Sequence, residues 1–367
     1  MVVPVITCPR KNFVNELIVG VRGLCELFGV SANVPISVRF MWRGIVRRGL
    51  IHRDGWGVAF YPDGRAASII KEPRPSPESP MASFLQHQDF VRSKIIISHV
   101  RRRSKGERSH RNTHPFSREL FGREWCFAHN GTILGDLPKP RFYTPIGETD
   151  SERAFCIIMD RLRELGEGAG LEAVSRVIER SAQEFSSLGG FNFLMSDGER
   201  LYAFWSGYSQ LHYVVRAPPH ERRVSLIDED FEVDLSEIKG PREVATLIAT
   251  KPLTNESWIR FPQRRLLIFE DGILKLDTLS WKIIKFIRQQ PRRVSIRRIS
   301  EELGAETEEI AKRIGKLRCL NIVRQDRRDI VGPEHPEATY FTEPRAREAI
   351  DAMLRWLNTR PKQFQQS

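Results

Sequence analysis

Cys25-Glu26-Leu27-Phe28-Gly29-Val30-Ser31 places a thiol at the head of a run that reads as a buried strand. A lone cysteine in that setting is ordinarily a small, inert core residue. A second use exists for a cysteine that is the first residue of its chain. There the α-amine, with a pKa of about 7.7–8.0, sits beside the sulfur and is close enough to neutrality to take the thiol proton, so no catalytic histidine is required. Residues 1–24 stand in front of Cys25 and show no domain-like pattern of their own. They are expected to be a leader or propeptide cut between Leu24 and Cys25, or never to be translated, with initiation at position 24.

Outward from this run the chain is mostly strands with a few helices. Gly57–Tyr61, Lys94–Val100, Glu124–Ala128 and Arg200–Trp205 are short β-rich stretches, and Pro62-Asp63-Gly64, Ser196-Asp197-Gly198 and Glu270-Asp271-Gly272 are turn signals. Asp150–Leu165 and Leu171–Phe185 carry apolar residues at helical spacing, with Thr149 or Asp150 as the N-cap. Strand runs with central helices predict sheet layers covered by helices rather than an alternating βαβ fold.

After Gly272 the pattern changes. Trp281–Ile287 reads as a helix ending before Pro291, Ser295–Gly304 as a second closed by glycine, and Glu306–Leu317 as a third. Two strand-like runs follow, Ile322–Asp326 and Ala338–Phe341. This order resembles a winged helix-turn-helix. A last amphipathic helix is expected from about Arg345 to Leu357. The domains predicted are therefore 1–24, 25–276, 277–344 and 345–367.

Composition sets limits. A chain of 367 residues with 40% apolar content is long enough for two or three domains and a sizeable core. Its net charge of +12 permits a polyanionic partner, although 28% charged residues of both signs also describe an ordinary soluble surface. Five cysteines with no Cys-x-x-Cys spacing argue against a disulfide framework and a structural zinc site, and fit a reducing cytoplasm. No run approaches the roughly 18 apolar residues of a membrane span. No metal or cofactor is called for.

Three further patterns complete the set that carries chemistry: His99-Val100-Arg101-Arg102-Arg103-Ser104-Lys105-Gly106, His129-Asn130-Gly131-Thr132-Ile133 and Gly147-Glu148-Thr149-Asp150-Ser151-Glu152. With the Cys25 run, in this order, they resemble the class II glutamine amidotransferases, the N-terminal-nucleophile branch, over roughly residues 25–275. The stand-alone members of that family are the most similar. The resemblance implies a four-layer αββα sandwich, an α+β fold followed here by the small winged-helix-like domain.

It also implies roles. Cys25 is the nucleophile, and Asn130 and Gly131 donate to an oxyanion, although an Asn-Gly pair by itself is more often a type I′ turn. Arg101 grips the substrate carboxylate by its planar fork, Asp150 meets the substrate ammonium, and Ser104 and His129 join the binding set. Arg102 and Arg103 read as a solvated surface patch or a phosphate contact. Synthase members of the family carry Trp and Thr where Arg102 and Ser104 stand, and the stand-alone branch has Glu where Lys251 stands, a reversed charge with no evident cause. His114 reads as a structural histidine.

The function expected is hydrolysis of glutamine, or of another γ-glutamyl amide, through a thioester, with ammonia passing to an acceptor. The alternative is a glutamine-sensing, DNA-binding regulator. Acidic Glu306, Glu308 and Glu309 at the front of the third helix weigh against DNA, leaving a protein partner, DNA and a second copy of the chain all open for the C-terminal domain.

Overall fold

The computed structural model describes residues 25–220, 222–228, 230–326 and 331–359. They divide into two compact units, one of residues 25–275 with 351–359 and one of residues 276–350. The expected leader and the end of the chain lie outside the described residues.

The larger unit holds two stacked antiparallel sheets. In the first, seven strands run in the order Ile259–Arg260 (β13), His212–Arg216 (β9), Ala245–Ala249 (β12), Glu26–Ser37 (β1), Arg92–Val100 (β4), Trp56–Phe60 (β2) and Ser68–Glu72 (β3). In the second, six run in the order Ile273–Leu274 (β15), Leu266–Glu270 (β14), Arg200–Phe204 (β8), Asn192–Ser196 (β7), Arg123–Asn130 (β6) and Phe116–Leu120 (β5). Arg223–Ser225 (β10) and Glu232–Asp234 (β11) form a separate hairpin, followed by the short helix Leu235–Ile238 (α5).

Period-two alternation decides the layers. Phe28 and Val30 of β1 turn outward, where they pack with Met41, Trp42 and Ile45 of Arg39–Arg48 (α1) and with Ala82 and Leu85 of Pro80–His87 (α2). Gly29, between them, faces the other sheet so closely that a Cβ there would meet Leu194 at 2.8 Å. On the far side Phe127, Phe193 and Phe204 pack under Asp150–Glu164 (α3) and Leu171–Ser187 (α4). The result is the expected αββα sandwich. Thr149, not Asp150, caps α3, its hydroxyl accepting the Glu152 N–H at 3.2 Å.

The smaller unit contains Thr278–Gln289 (α6), Val294–Ser295 (β16), Ile296–Leu303 (α7), Thr307–Cys319 (α8), Val323–Gln325 (β17) and Thr339–Thr342 (β18), with the strands ordered β16-β18-β17. Asp277 caps α6, Ser295 caps α7, and Gly304 ends α7 at φ +61°. Ile283, Ile287, Ile299, Ile314 and Tyr340 are buried in it. Three of the arginines that make its sequence look basic are matched by carboxylates: Arg293 with Asp326 at 2.7 Å, Arg297 with Glu337 at 2.8 Å, and Arg324 with Glu343. The last helix, Arg347–Thr359 (α9), belongs to the larger unit from Asp351 onward.

No helix among the described residues is long and apolar enough to cross a membrane. One buried ion pair pins the edge of the first sheet. Arg216 Nε reaches Glu256 Oε1 at 3.0 Å and Oε2 at 3.2 Å, with both side chains almost fully buried. Removing one charge strands the other in a low dielectric, so Glu256→Gln is expected to cost about 3–5 kcal/mol, read as a lower midpoint in urea unfolding.

Candidate active site

Cys25 stands immediately before β1, and Glu26 pairs with Val100 at the end of β4. Beyond Val100 the chain leaves the sheet as a loop, and Arg102 meets the thiol with both main-chain groups. Its N–H donates to Cys25 Sγ at 3.1 Å, and the thiol lies 3.1 Å from its carbonyl oxygen. Loss of solvent around the sulfur pushes the thiol up to about 11, against the opposing pull of that N–H and of the Arg101 charge. At neutral pH the group is a thiol rather than a thiolate.

Asn130, the last residue of β6, reaches across from the second sheet. Its Nδ2 donates to the main-chain carbonyl of Cys25 and, at 3.3 Å, to Thr250 Oγ1. Gly131 follows at φ +153°, with Gly190 O only 1.9 Å from where a Cβ would stand, so no side chain fits. Just past Gly131, the Ile133 peptide is held at both ends: its N–H donates to Asp150 Oδ2 at 2.6 Å, and its carbonyl accepts from Lys105 Nζ at 2.6 Å.

Arg101 is buried, and its guanidinium donates to the carbonyls of Lys105 at 3.0 Å, Gly106 at 3.4 Å and Glu107 at 3.1 Å. Burial lowers its pKa, which the nearby Cys25 and Asp54 oppose. The loop is thus curled around its own arginine. It is also pinned from outside, since Arg103 N donates to Asp54 Oδ2 at 2.8 Å, and the buried Asn112 links Glu107 O at 3.2 Å to Glu148 Oε2 at 2.9 Å. Asn112 Oδ1 also accepts the Glu148 N–H at 2.9 Å. Ser104 is exposed on this loop.

His129 differs from its expected place in the binding set. Its Nδ1 lies 2.8 Å from Ser151 Oγ and its Nε2 3.0 Å from Gly190 O, so both ring nitrogens are committed inside the protein. Because a carbonyl only accepts, Nε2 carries the proton, and a neutral ring leaves Nδ1 to accept from Ser151. His114 is the buried structural residue expected; its ring centroid lies 4.3 Å from that of His99, and none of their four ring nitrogens has a hydrogen-bond partner.

Sequence reasoning missed Thr250, whose partners Leu27 and Asn130 are remote in the chain and leave no local pattern. The reversed charge beside it now has a setting. Lys251 Nζ lies 3.9 Å from the buried Glu26 carboxylate, which Arg48 also approaches at 3.4 Å and His52 at 3.7 Å. Cys126 and Cys156 are further thiols, both buried. No cluster of three or more His, Cys, Asp or Glu side chains among the described residues is arranged to hold a metal.

Residues 24–295 match the family model of the class-II glutamine amidotransferases. The chain belongs to that family. The match runs past Lys275 into the smaller unit, further than the motifs alone reach. This amidotransferase-family chain is 42% identical over 243 residues to the putative glutamine amidotransferase YafJ of Escherichia coli, covering 64% of this chain and 93% of that one. An uncharacterized protein of Methanocaldococcus jannaschii is 38% identical over 356 residues, covering 92% of this chain and 99% of that one. A crystal structure of a predicted glutamine amidotransferase from Pseudomonas aeruginosa is also similar, with 34% identity, a TM-score of 0.54, and coverage of 69% of this chain and 100% of that one.

The histidines around the site give a pH signature. Burial holds His99, His114 and His129 below the ordinary imidazole value of 6.5, so the unfolded chain binds protons that the folded one refuses. Stability from these groups is therefore complete above about pH 6.5 and falls below it, by about 1.4 kcal/mol per pH unit for each ring. Urea unfolding at a series of pH values from 7.5 to 5.5 is expected to show this loss, and Phe at positions 99 and 114 to make it smaller, leaving the His129 share.

Proposed function

We propose that this chain hydrolyses the side-chain amide of glutamine, or of a related γ-glutamyl amide, with Cys25 as nucleophile once its α-amine is free. Family membership supports an enzyme acting on glutamine. The observation that carries the reading is the convergence on Cys25 at the head of β1 of the Asn130 amide, which donates to its carbonyl, the Arg102 main chain, which meets its thiol, and the Arg101 charge.

A thiol near 11 needs a base. Among the described residues no imidazole hydrogen-bonds to the sulfur. The α-amine of Cys25 fills that place. It takes the Sγ–H proton as sulfur attacks the amide carbon, while Asn130 Nδ2–H and Gly131 N–H donate to the oxyanion. Collapse of the adduct breaks the C–N bond, the ammonium returns its proton to the leaving nitrogen, and ammonia departs from a γ-glutamyl thioester. Water then attacks the thioester carbonyl, the same amine carries its proton to sulfur, and glutamate is released.

Arg101 holds the α-carboxylate by the N–H groups that its own loop leaves over, and Asp150 pairs with the α-ammonium. Ser104 lies at the mouth as a further hydrogen-bonding group. His129 works from behind, holding Ser151 and the Gly190 carbonyl against which Gly131 packs. The smaller unit is a winged-helix-like contact module for a protein rather than for DNA, since Arg293, Arg297 and Arg324 are matched by carboxylates and Glu308 and Glu309 are exposed on α8.

Purified protein is expected to release glutamate and ammonia from glutamine, and Cys25→Ala to abolish this. Asn130→Ala should lower kcat about 10²–10³-fold. Arg101→Ala should act mainly on KM. Glutamine binding without glutamate release would instead favour sensing. Hydrolysis by protein whose measured mass retains residues ahead of Cys25 would contradict the role of the amine.

A further inference from the structure

Asn130 has a buried Oδ1 with no hydrogen-bond partner. Nothing on that side fixes which way the amide is turned. Its orientation rests on Nδ2 alone, which has two acceptors, the Cys25 carbonyl and Thr250 Oγ1. The first belongs to the residue that reacts. The second is a fixed reference.

Thr250 lies directly past β12 and is almost fully buried. Its N–H donates to Leu27 O at 3.1 Å, its hydroxyl oxygen accepts the Leu27 N–H at 2.8 Å, and its carbonyl lies 3.2 Å from His212 Nδ1. The hydroxyl is therefore placed by the β1–β12 register, the same register that places Cys25 two residues before Leu27. Nucleophile and Asn130 amide are both referred to one side chain.

We propose that Thr250 is a positioning residue for the oxyanion hole, holding one Nδ2 proton of Asn130 so that the other is confined to the Cys25 side. This rests on the hydrolytic reading above. An amide released from Thr250 can swing or turn over, and a turned amide presents Oδ1, an acceptor, toward the forming oxyanion. The effect belongs to the transition state, where charge develops on oxygen, so kcat suffers rather than substrate binding.

Steady-state glutamine hydrolysis by four forms tests this: wild type, Thr250→Val, Asn130→Ala and the double variant, each normalised to its folded fraction from thermal melting. Thr250→Val, which keeps the shape and removes the acceptor, is expected to lower kcat about 10–100-fold with KM within about twofold, and Thr250→Ser to restore most of it. In the Asn130→Ala background Thr250→Val should lower kcat no further, because its target is gone. Full kcat in Thr250→Val, or losses that multiply in the double variant, would overturn the proposal. A purely structural threonine gives the multiplying result. Should Thr250→Val fail to fold, Thr250→Cys, a weak acceptor of similar size, carries the same expectations. Wild type that releases no glutamate defeats the hydrolytic reading itself, whereas active wild type with multiplying losses defeats only the role of Thr250.

Discussion

The side-chain amide of Asn130 joins the two sheets at the point where the first strand begins. It leaves the end of β6, crosses the interface and donates to the carbonyl of Cys25. A sandwich of two sheets has few polar groups in its middle, and those it has must be hydrogen-bonded or cost about 1–3 kcal/mol each. The crossing amide satisfies the first residue of β1 and fixes its distance from Gly131. The remaining site residues are arranged around that link.

Each loop at this end of the sandwich is tied by side chains to main-chain groups of another. Asp54 holds the Arg103 N–H, Asn112 joins Glu107 to Glu148, and Asp150 and Lys105 grip opposite ends of the Ile133 peptide. Glycine is required where two of these ties pass close together: a Cβ on Gly147 would stand 2.2 Å from Asn112 Oδ1. Burial then sets the electrostatics. It keeps the thiol and three histidines uncharged, and leaves Arg101 as the buried cation beside the sulfur. That combination suits a reaction in which a neutral thiol passes a proton locally to a neutral amine and an anionic carboxylate is held nearby.

Much of this was legible in the chain because short patterns carry it. The β-rich runs Lys94–Val100 and Glu124–Ala128 gave β4 and β6, and the cysteine, arginine, Asn-Gly and aspartate motifs sit at the ends of strands or at a helix start. Helix α1 was not read. Its apolar Met41, Trp42, Ile45 and Val46 are at helical spacing, but Arg43 and Gly44 separate them and Val38 offers no side-chain cap. The partners of His129 were not legible because Ser151 lies on α3 and Gly190 just before β7, both remote from it in sequence. Thr250 was invisible for the same reason, and Lys251 drew notice for a charge whose counterpart, Glu26, lies on a strand more than two hundred residues earlier.

The central claim is that Cys25 acts as the first residue of the working protein. Labelling with a glutamine analogue bearing a γ-diazoketone, followed by intact-mass and peptide analysis of the labelled species, tests it most directly. The account predicts one adduct per chain, on a Cys25 whose α-amine is free. Label on another residue, or on a Cys25 still joined to Leu24, would contradict it.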